Sequence, residues 1–243
     1  MKTKIYSISL LVMAGIVLAV TGYRCSGTRK TSASGQVETI VTNIDGRGIA
    51  IEVEFTRGKS HNHPLMAIWL EDMTGKYIET LYIAESIGKG IFQHGDKSQG
   101  QWQEGPVRRP AALPYWGHKR GIRAEDGYFI PTPENPMPDA VTGPTPAGDF
   151  ILKGKSTSLV PSPFKILMEI NQSWDWNEYW TNALYPDDEN YRSSSQPAIV
   201  YEAVIEPESG RKEFTMVPVG YSHYSGLDGS LTKDLGTLTT ALE

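Results

Sequence analysis

The chain has one cysteine, Cys25, in 243 residues. One sulfur cannot close an intramolecular disulfide or build a paired-thiolate metal site. If a leader is cleaved beyond Cys25, the mature domain has no thiol nucleophile either. Long apolar runs are also scarce. Leu10 to Val20 is an unbroken stretch of small and apolar residues, and it falls short of the roughly 20 residues a helical membrane span needs. No helical period lasts beyond about two turns. Basic charge is in short supply past residue 30. The first 30 residues carry Lys2, Lys4, Arg24, Arg29 and Lys30 with no acid, which leaves 18 basic against 28 acidic side chains, a formal charge of −10. Such a surface repels phosphate backbones, and no basic cluster with interleaved aromatics offsets it, so nucleic acid is excluded as a partner. Walker loops, H-E-x-x-H and paired-cysteine zinc motifs are missing. Ser222 beside His223 in "GYSHYSG" does not form a G-x-S-x-G elbow.

The N-terminus reads as an export signal over residues 1–25: a basic head, the apolar run, then the small Thr21 and Gly22. An uncleaved anchor is the alternative. Both place the domain outside the cytoplasm, periplasmic or at the cell surface, with membrane contact only through the N-terminus. Cys25 has the position of a lipid acceptor, but Tyr23 and Arg24 stand where small residues are wanted. Residues 26–35, "SGTRKTSASG", form a flexible linker. One domain is expected over 36–243.

What the domain does contain is period-2 alternation. In "IAIEVEFT", Ile49, Ile51, Val53 and Phe55 share one face and Glu52 and Glu54 the other. "VETIVTNI" precedes it across Asp45-Gly46, a hairpin-type turn. "LMAIWLED" is apolar through six residues and reads as a central strand, and "KYIETLYIAE" returns after the "MTGK" turn. Later come "DFILKG", "FKILMEI", and a hairpin of "AIVYEAVIE" with "KEFTMVPV". The C-terminal "DLGTLTTALE" fits a short helix or an edge strand. Between them, residues 93–148 hold nine prolines and eight glycines with no period. Trp102, Tyr115, Trp116, Tyr128 and Phe129 within that stretch argue that it packs onto something. The expected fold is all-β: an antiparallel, immunoglobulin-like β-sandwich with a long Pro/Gly-rich insertion.

Several clusters can carry chemistry, each beside a plainer reading. His61 and His63 of "HNH" point the same way if extended and make half a metal site, with His94 or His118 as distant further ligands; a solvated turn is the plainer account. "NQSWDWNEYW" sets Trp174, Trp176, Tyr179 and Trp180 among amide and carboxylate groups. Such faces stack on a flavin or sugar ring, and they equally close the end of a sandwich. Asp187, Asp188 and Glu189 lack the ligand spacing of a calcium loop and read as an acidic turn.

The stretches "HPLMAIWLEDMTGKYIETLYIAE", "PDAVTGPTPAGDF", "MEINQSWDWNEYW", "SQPAIVYEAVIE" and "GYSHYSGLDGSLTKDLGTLTTAL" together resemble the bacterial periplasmic family catalogued as domain of unknown function 2271, from about residue 36 to the end. The resemblance implies an exported β-sandwich associated with membrane redox proteins and with the flavin transferase that attaches FMN to threonine. The acceptor motif of flavinylated proteins runs Asp, two variable residues, Ser or Thr, Gly, Ala, then the accepting Thr or Ser. Here Asp139, Thr142, Gly143 and Thr145 match it, and Pro144 departs from it in place of alanine. Turn chemistry alone also accounts for this run. The implied cofactor is covalent FMN on Thr145, with Trp174 and Trp176 near the ring. The implied partner is a membrane redox protein or flavin transferase. The expected function is that of a non-catalytic accessory or binding protein tied to a membrane flavin-based redox system. A cell-surface carbohydrate- or protein-binding module is the alternative, and a metal-dependent enzyme using His61 and His63 a second one.

Overall fold

The computed structural model describes residues 37–238. The expected export signal, Cys25, the linker and the last five residues lie outside them. The described residues form twelve strands: β1 Glu38–Thr42, β2 Ala50–Phe55, β3 Leu65–Asp72, β4 Tyr77–Ala84, β5 Ile91–Asp96, β6 Gln103–Pro106, β7 Thr142–Gly143, β8 Phe150–Lys155, β9 Phe164–Asn171, β10 Ile199–Ile205, β11 Val217–Ser222 and β12 Leu231–Thr232. Three short helices join them: α1 Glu85–Lys89, α2 Pro114–Arg120 and α3 Glu189–Arg192. Among the described residues no helix is long and apolar enough to cross a membrane.

The strands make a β-sandwich. One layer has the order β1-β8-β2; the other has the order β12-β11-β10-β9-β3-β4-β7; β5 and β6 pair as a separate ribbon. Period 2 explains the packing. In β2, Ile51, Val53 and Phe55 are buried while the residues between them are not. They meet Met66, Ile68, Leu70, Ile166 and Met168 of the larger sheet in one core. Phe55 stacks on Phe150 across the small sheet at 4.9 Å. The apolar run of β3 has a separate cause. Leu65, Ala67 and Trp69 point to the opposite face, where they join Ile83, Leu113 and Trp116 in a second core. A strand covered on both faces has no wet side to mark with polar residues.

That second core is where the Pro/Gly-rich segment goes. α2 and the residues before it lie on the outer face of the larger sheet, with Ala111, Ala112, Leu113 and Trp116 fully buried. The expectation that its aromatics pack is met at Trp116, whereas Trp102 stays 59% exposed at the tip of the β5–β6 ribbon.

Two expectations are corrected. First, β1 and β2 are not a hairpin: β8 lies between them, parallel to β1 and antiparallel to β2. The connection instead crosses the end of β8, where Gly48 N–H donates to Ser156 O at 2.9 Å and Asn43 Nδ2 to Lys155 O at 2.8 Å. A Cβ on Gly48 would lie 2.0 Å from Ser158 O, so the crossing needs glycine for space. With β7 also parallel to β4, the sheets are mixed rather than wholly antiparallel. Second, "KEFTM" is not strand. β10 and β11 do pair antiparallel, but β11 begins only at Val217, after buried Phe214 and Met216. The described part of "DLGTLTTALE", residues 234–238, is neither helix nor strand but holds a turn, and the edge strand β12 ends before it at Thr232.

Candidate functional site

One end of the larger sheet gathers the chemistry. Its register puts the start of β3 beside the ends of β9 and β4, with Leu65 opposite Asn171 and Ala67 opposite Ile83. Five connections converge there: the loop before β3, α1 with the start of β5, the residues after β6, those after β7, and the loop after β9. They enclose a cleft of about 790 Å³ lined by His63, Phe92, Arg109, Thr145 and Trp174 among others. That volume lies within the range of small-molecule sites.

Thr145 arrives through a tightly held approach. Asp139–Val141 forms a single 3-10 turn, and Asp139 is ion-paired with Lys89. Thr142 Oγ donates to the Asp139 carbonyl at 3.4 Å. Thr142 and Gly143 then pair with Ile83 and Ala84. A Cβ on Gly143 would sit 2.8 Å from Tyr82 Cε2, so glycine is required here by space rather than by an unusual φ. The Tyr82 hydroxyl donates to Pro144 O, which fixes the peptide before Thr145. Burial raises the Tyr82 pKa strongly and keeps the phenol neutral. Thr145 itself is half-buried, and its hydroxyl has no hydrogen bond among the described residues.

Trp174 enters from the loop after β9. Its φ is +63°, a left-handed conformation that a bulky side chain resists. Hydrogen bonds over-determine that geometry: Trp174 N–H donates to Ser194 O at 2.7 Å and its Nε1 to Arg192 O at 3.0 Å. Buried Asn171 braces the turn, accepting from Ser194 Oγ at 2.8 Å and donating to Gln196 O at 3.2 Å. The aromatic run separates beyond this point. Trp176 is 52% exposed and lies outside the cleft, while Trp180 is buried in the main core with its Nε1 on Thr237 Oγ at 3.1 Å.

Arg109 is the residue that sequence reasoning missed. Its guanidinium carbon is 4.8 Å from the Phe92 ring centroid and 4.5 Å from that of Trp174. Burial pushes its pKa below the ordinary arginine value, yet a guanidinium stays charged at any ordinary pH. Its only signal in the sequence was a pair of arginines between Pro106 and Pro110 in a chain whose net charge is negative.

The histidines do not act as a pair. The φ of His63 is +52°, which breaks the extended geometry that would aim both imidazoles alike. His61 Nε2 lies 3.0 Å from Pro146 O; a carbonyl only accepts, so Nε2 carries the proton. Burial lowers the His61 pKa and keeps the ring neutral. His63 borders the cleft with Nδ1 3.2 Å from Asn62 Oδ1. Among the described residues no group of three or more His, Cys, Asp and Glu is arranged to hold a metal ion. Asp188 is instead the N-cap of α3, accepting from Tyr191 N–H at 2.9 Å. Ser222 Oγ is buried and accepts the Ala198 N–H at 3.1 Å.

No protein-family model matches the chain, and neither does any curated protein or solved structure.

Proposed function

We propose that this protein is a non-catalytic flavin carrier outside the cytoplasm, with FMN esterified to Thr145 and its ring lodged in the cleft beside Trp174. One observation carries the reading. The threonine singled out by its local motif has a hydroxyl that is unengaged among the described residues, in the same cleft as an indole and a guanidinium that is likewise unpaired among them. Nothing about the motif alone requires those three to meet.

The residues present fit the group. Thr145 Oγ supplies the oxygen of the ester bond. With a flavin dinucleotide as donor, that bond forms as the donor's pyrophosphate linkage breaks, a nucleoside monophosphate leaves, and the hydroxyl proton passes to solvent. Tyr82 and Gly143 hold the acceptor peptide at the cleft mouth. Trp174 and Phe92 provide flat apolar faces. Bound FMN would supply reversible one- and two-electron transfer, which makes a membrane redox protein the natural partner. Pro144 removes a backbone N–H beside the acceptor, and its carbonyl is already engaged by Tyr82, so docking into the transferase relies on the side chain of Thr145.

Co-expression of the full chain with a flavin transferase tests this. Yellow protein with an FMN-sized mass increment, lost in Thr145→Ala, is expected; colourless protein of unmodified mass overturns it. Exposed Trp176 and Tyr179 favour a second reading, a carbohydrate-binding surface outside the cleft, which retardation in polysaccharide gels would reveal.

A further inference from the structure

Arg108 and Arg109 are neighbours with opposite fates. Arg108 is fully used: its Nε and Nη2 reach both oxygens of Asp126, at 2.6 and 3.1 Å, and its Nη2 also donates to Ile130 O at 3.2 Å. Arg109 has no hydrogen bond and no ion pair among the described residues. The exposed carboxylates Glu85 and Glu104 line the same cleft, yet neither comes within ion-pair distance of it.

A guanidinium offers five N–H donors in one plane. The rings of Phe92 and Trp174 flank this one at 4.8 and 4.5 Å, and no oxygen among the described residues takes any of its N–H bonds, so those donors are left for something else. Half-buried, it is shielded from water, and an anion meeting it there is attracted more strongly than at the surface. The strained backbone at Trp174 is maintained by two hydrogen bonds, and the indole it places is the one against Arg109. Arg108, by contrast, has its donors taken by the Asp126 carboxylate and by the carbonyls of Ile130 and Pro131.

We infer that Arg109 is the receptor for an oxyanion, a phosphate monoester or a carboxylate, carried by a small molecule whose flat ring lies in the same cleft. The anion would lie along the free edge of the guanidinium, where a two-oxygen group can accept two parallel N–H bonds. This deepens the flavin reading by naming the group that would take the phosphate, but it does not require attachment at Thr145.

The test therefore uses unmodified full-length protein from cells without a flavin transferase, titrated while following tryptophan fluorescence. FMN is expected to bind at least about tenfold more tightly than riboflavin, which has the same ring and no phosphate. Arg109→Met should bring FMN down to the riboflavin level. Arg109→Lys keeps the charge but loses the fork, and should fall between; it decides the matter if the methionine variant does not fold. Phenyl phosphate or benzoate should displace FMN, and whichever does so better identifies the oxyanion. Equal binding of FMN and riboflavin, wild-type affinity in both Arg109 variants, or no displacement by either small anion would overturn the inference. Attachment without Arg109 dependence would sink this inference alone; phosphate-dependent binding without attachment would sink the flavin-ester reading alone.

Discussion

Glu169 of β9 accepts the backbone N–H of Trp116 at 2.7 Å. Its second oxygen accepts from Tyr115 N–H at 3.1 Å. Helix α2 begins at Pro114 with no side-chain cap of its own, so a carboxyl group from the sheet supplies one. This contact ties the Pro/Gly-rich segment to the outer face of the larger sheet.

A pH prediction follows from its burial. Glu169 is fully buried, and desolvation raises its pKa from 4.5 to about 8, against the helix N–H bonds that favour the charged form. A carboxyl held protonated when folded binds its proton more tightly than in the unfolded chain. Its contribution is therefore complete below about pH 4.5 and is lost as pH rises through about 8. Glu169→Gln is neutral throughout and lacks one acceptor, a constant cost of about 1 kcal/mol. In urea unfolding at pH 5, 7 and 9, the advantage of wild type over Glu169→Gln should shrink with rising pH and then reverse, because the wild type alone loses stability as Glu169 ionises. A gap that does not change with pH would refute this.

A buried ion pair makes a second prediction. Glu71 is 1% exposed, accepts from Trp69 Nε1 at 2.9 Å, and faces Lys119 Nζ at 3.2 Å. Lys119→Met leaves that carboxylate with the indole alone. The expected cost is roughly 3 kcal/mol, at the low end for a broken buried pair because the ammonium keeps some contact with water. Adding Glu71→Gln to the methionine variant should recover a good part of it. Loss of the same size in both chains would show that the charge is not the cause.

The approach to Thr145 gives a third. Gly143→Ala forces its methyl against the fully buried Tyr82 ring, and overpacking of that kind costs about 1–3 kcal/mol. Tyr82→Leu removes the ring edge that clashes. The two substitutions should therefore be non-additive in thermal unfolding, the double variant losing less than the sum. Strict additivity would separate Gly143 from Tyr82.

How far the sequence speaks depends on distance along the chain. Alternation at Ile51, Val53 and Phe55 marks a half-wet strand, and the uninterrupted run from Leu65 to Leu70 marks one covered on both faces; both signals are local, and both appear in the structure. The Asp45-Gly46 turn misleads because it looks like a hairpin, while the strand that separates β1 from β2 begins at Phe150. Thr145 and Trp174 stand out within their own segments. Arg109 does not, because what distinguishes it from Arg108 is the company of Phe92 and Trp174 and the lack of an acid, and neither is written near it in the chain.

The last prediction separates a residue strained for use from one packed for stability. Trp180 is 3% exposed and makes edge-on contacts with Tyr179 and Tyr221, so Trp180→Ala should cost about 3–5 kcal/mol. Trp174 is 45% exposed and holds φ at +63°. Asparagine tolerates that conformation far better, so Trp174→Asn returns backbone strain of order 1 kcal/mol while losing one indole hydrogen bond of about the same size. Its net effect on unfolding should be under about 1 kcal/mol. The same variant should bind FMN more weakly, because Arg109 then loses one of the two rings that flank it. A Trp174→Asn protein as destabilised as Trp180→Ala would make Trp174 a packing residue and remove the functional account of its strain.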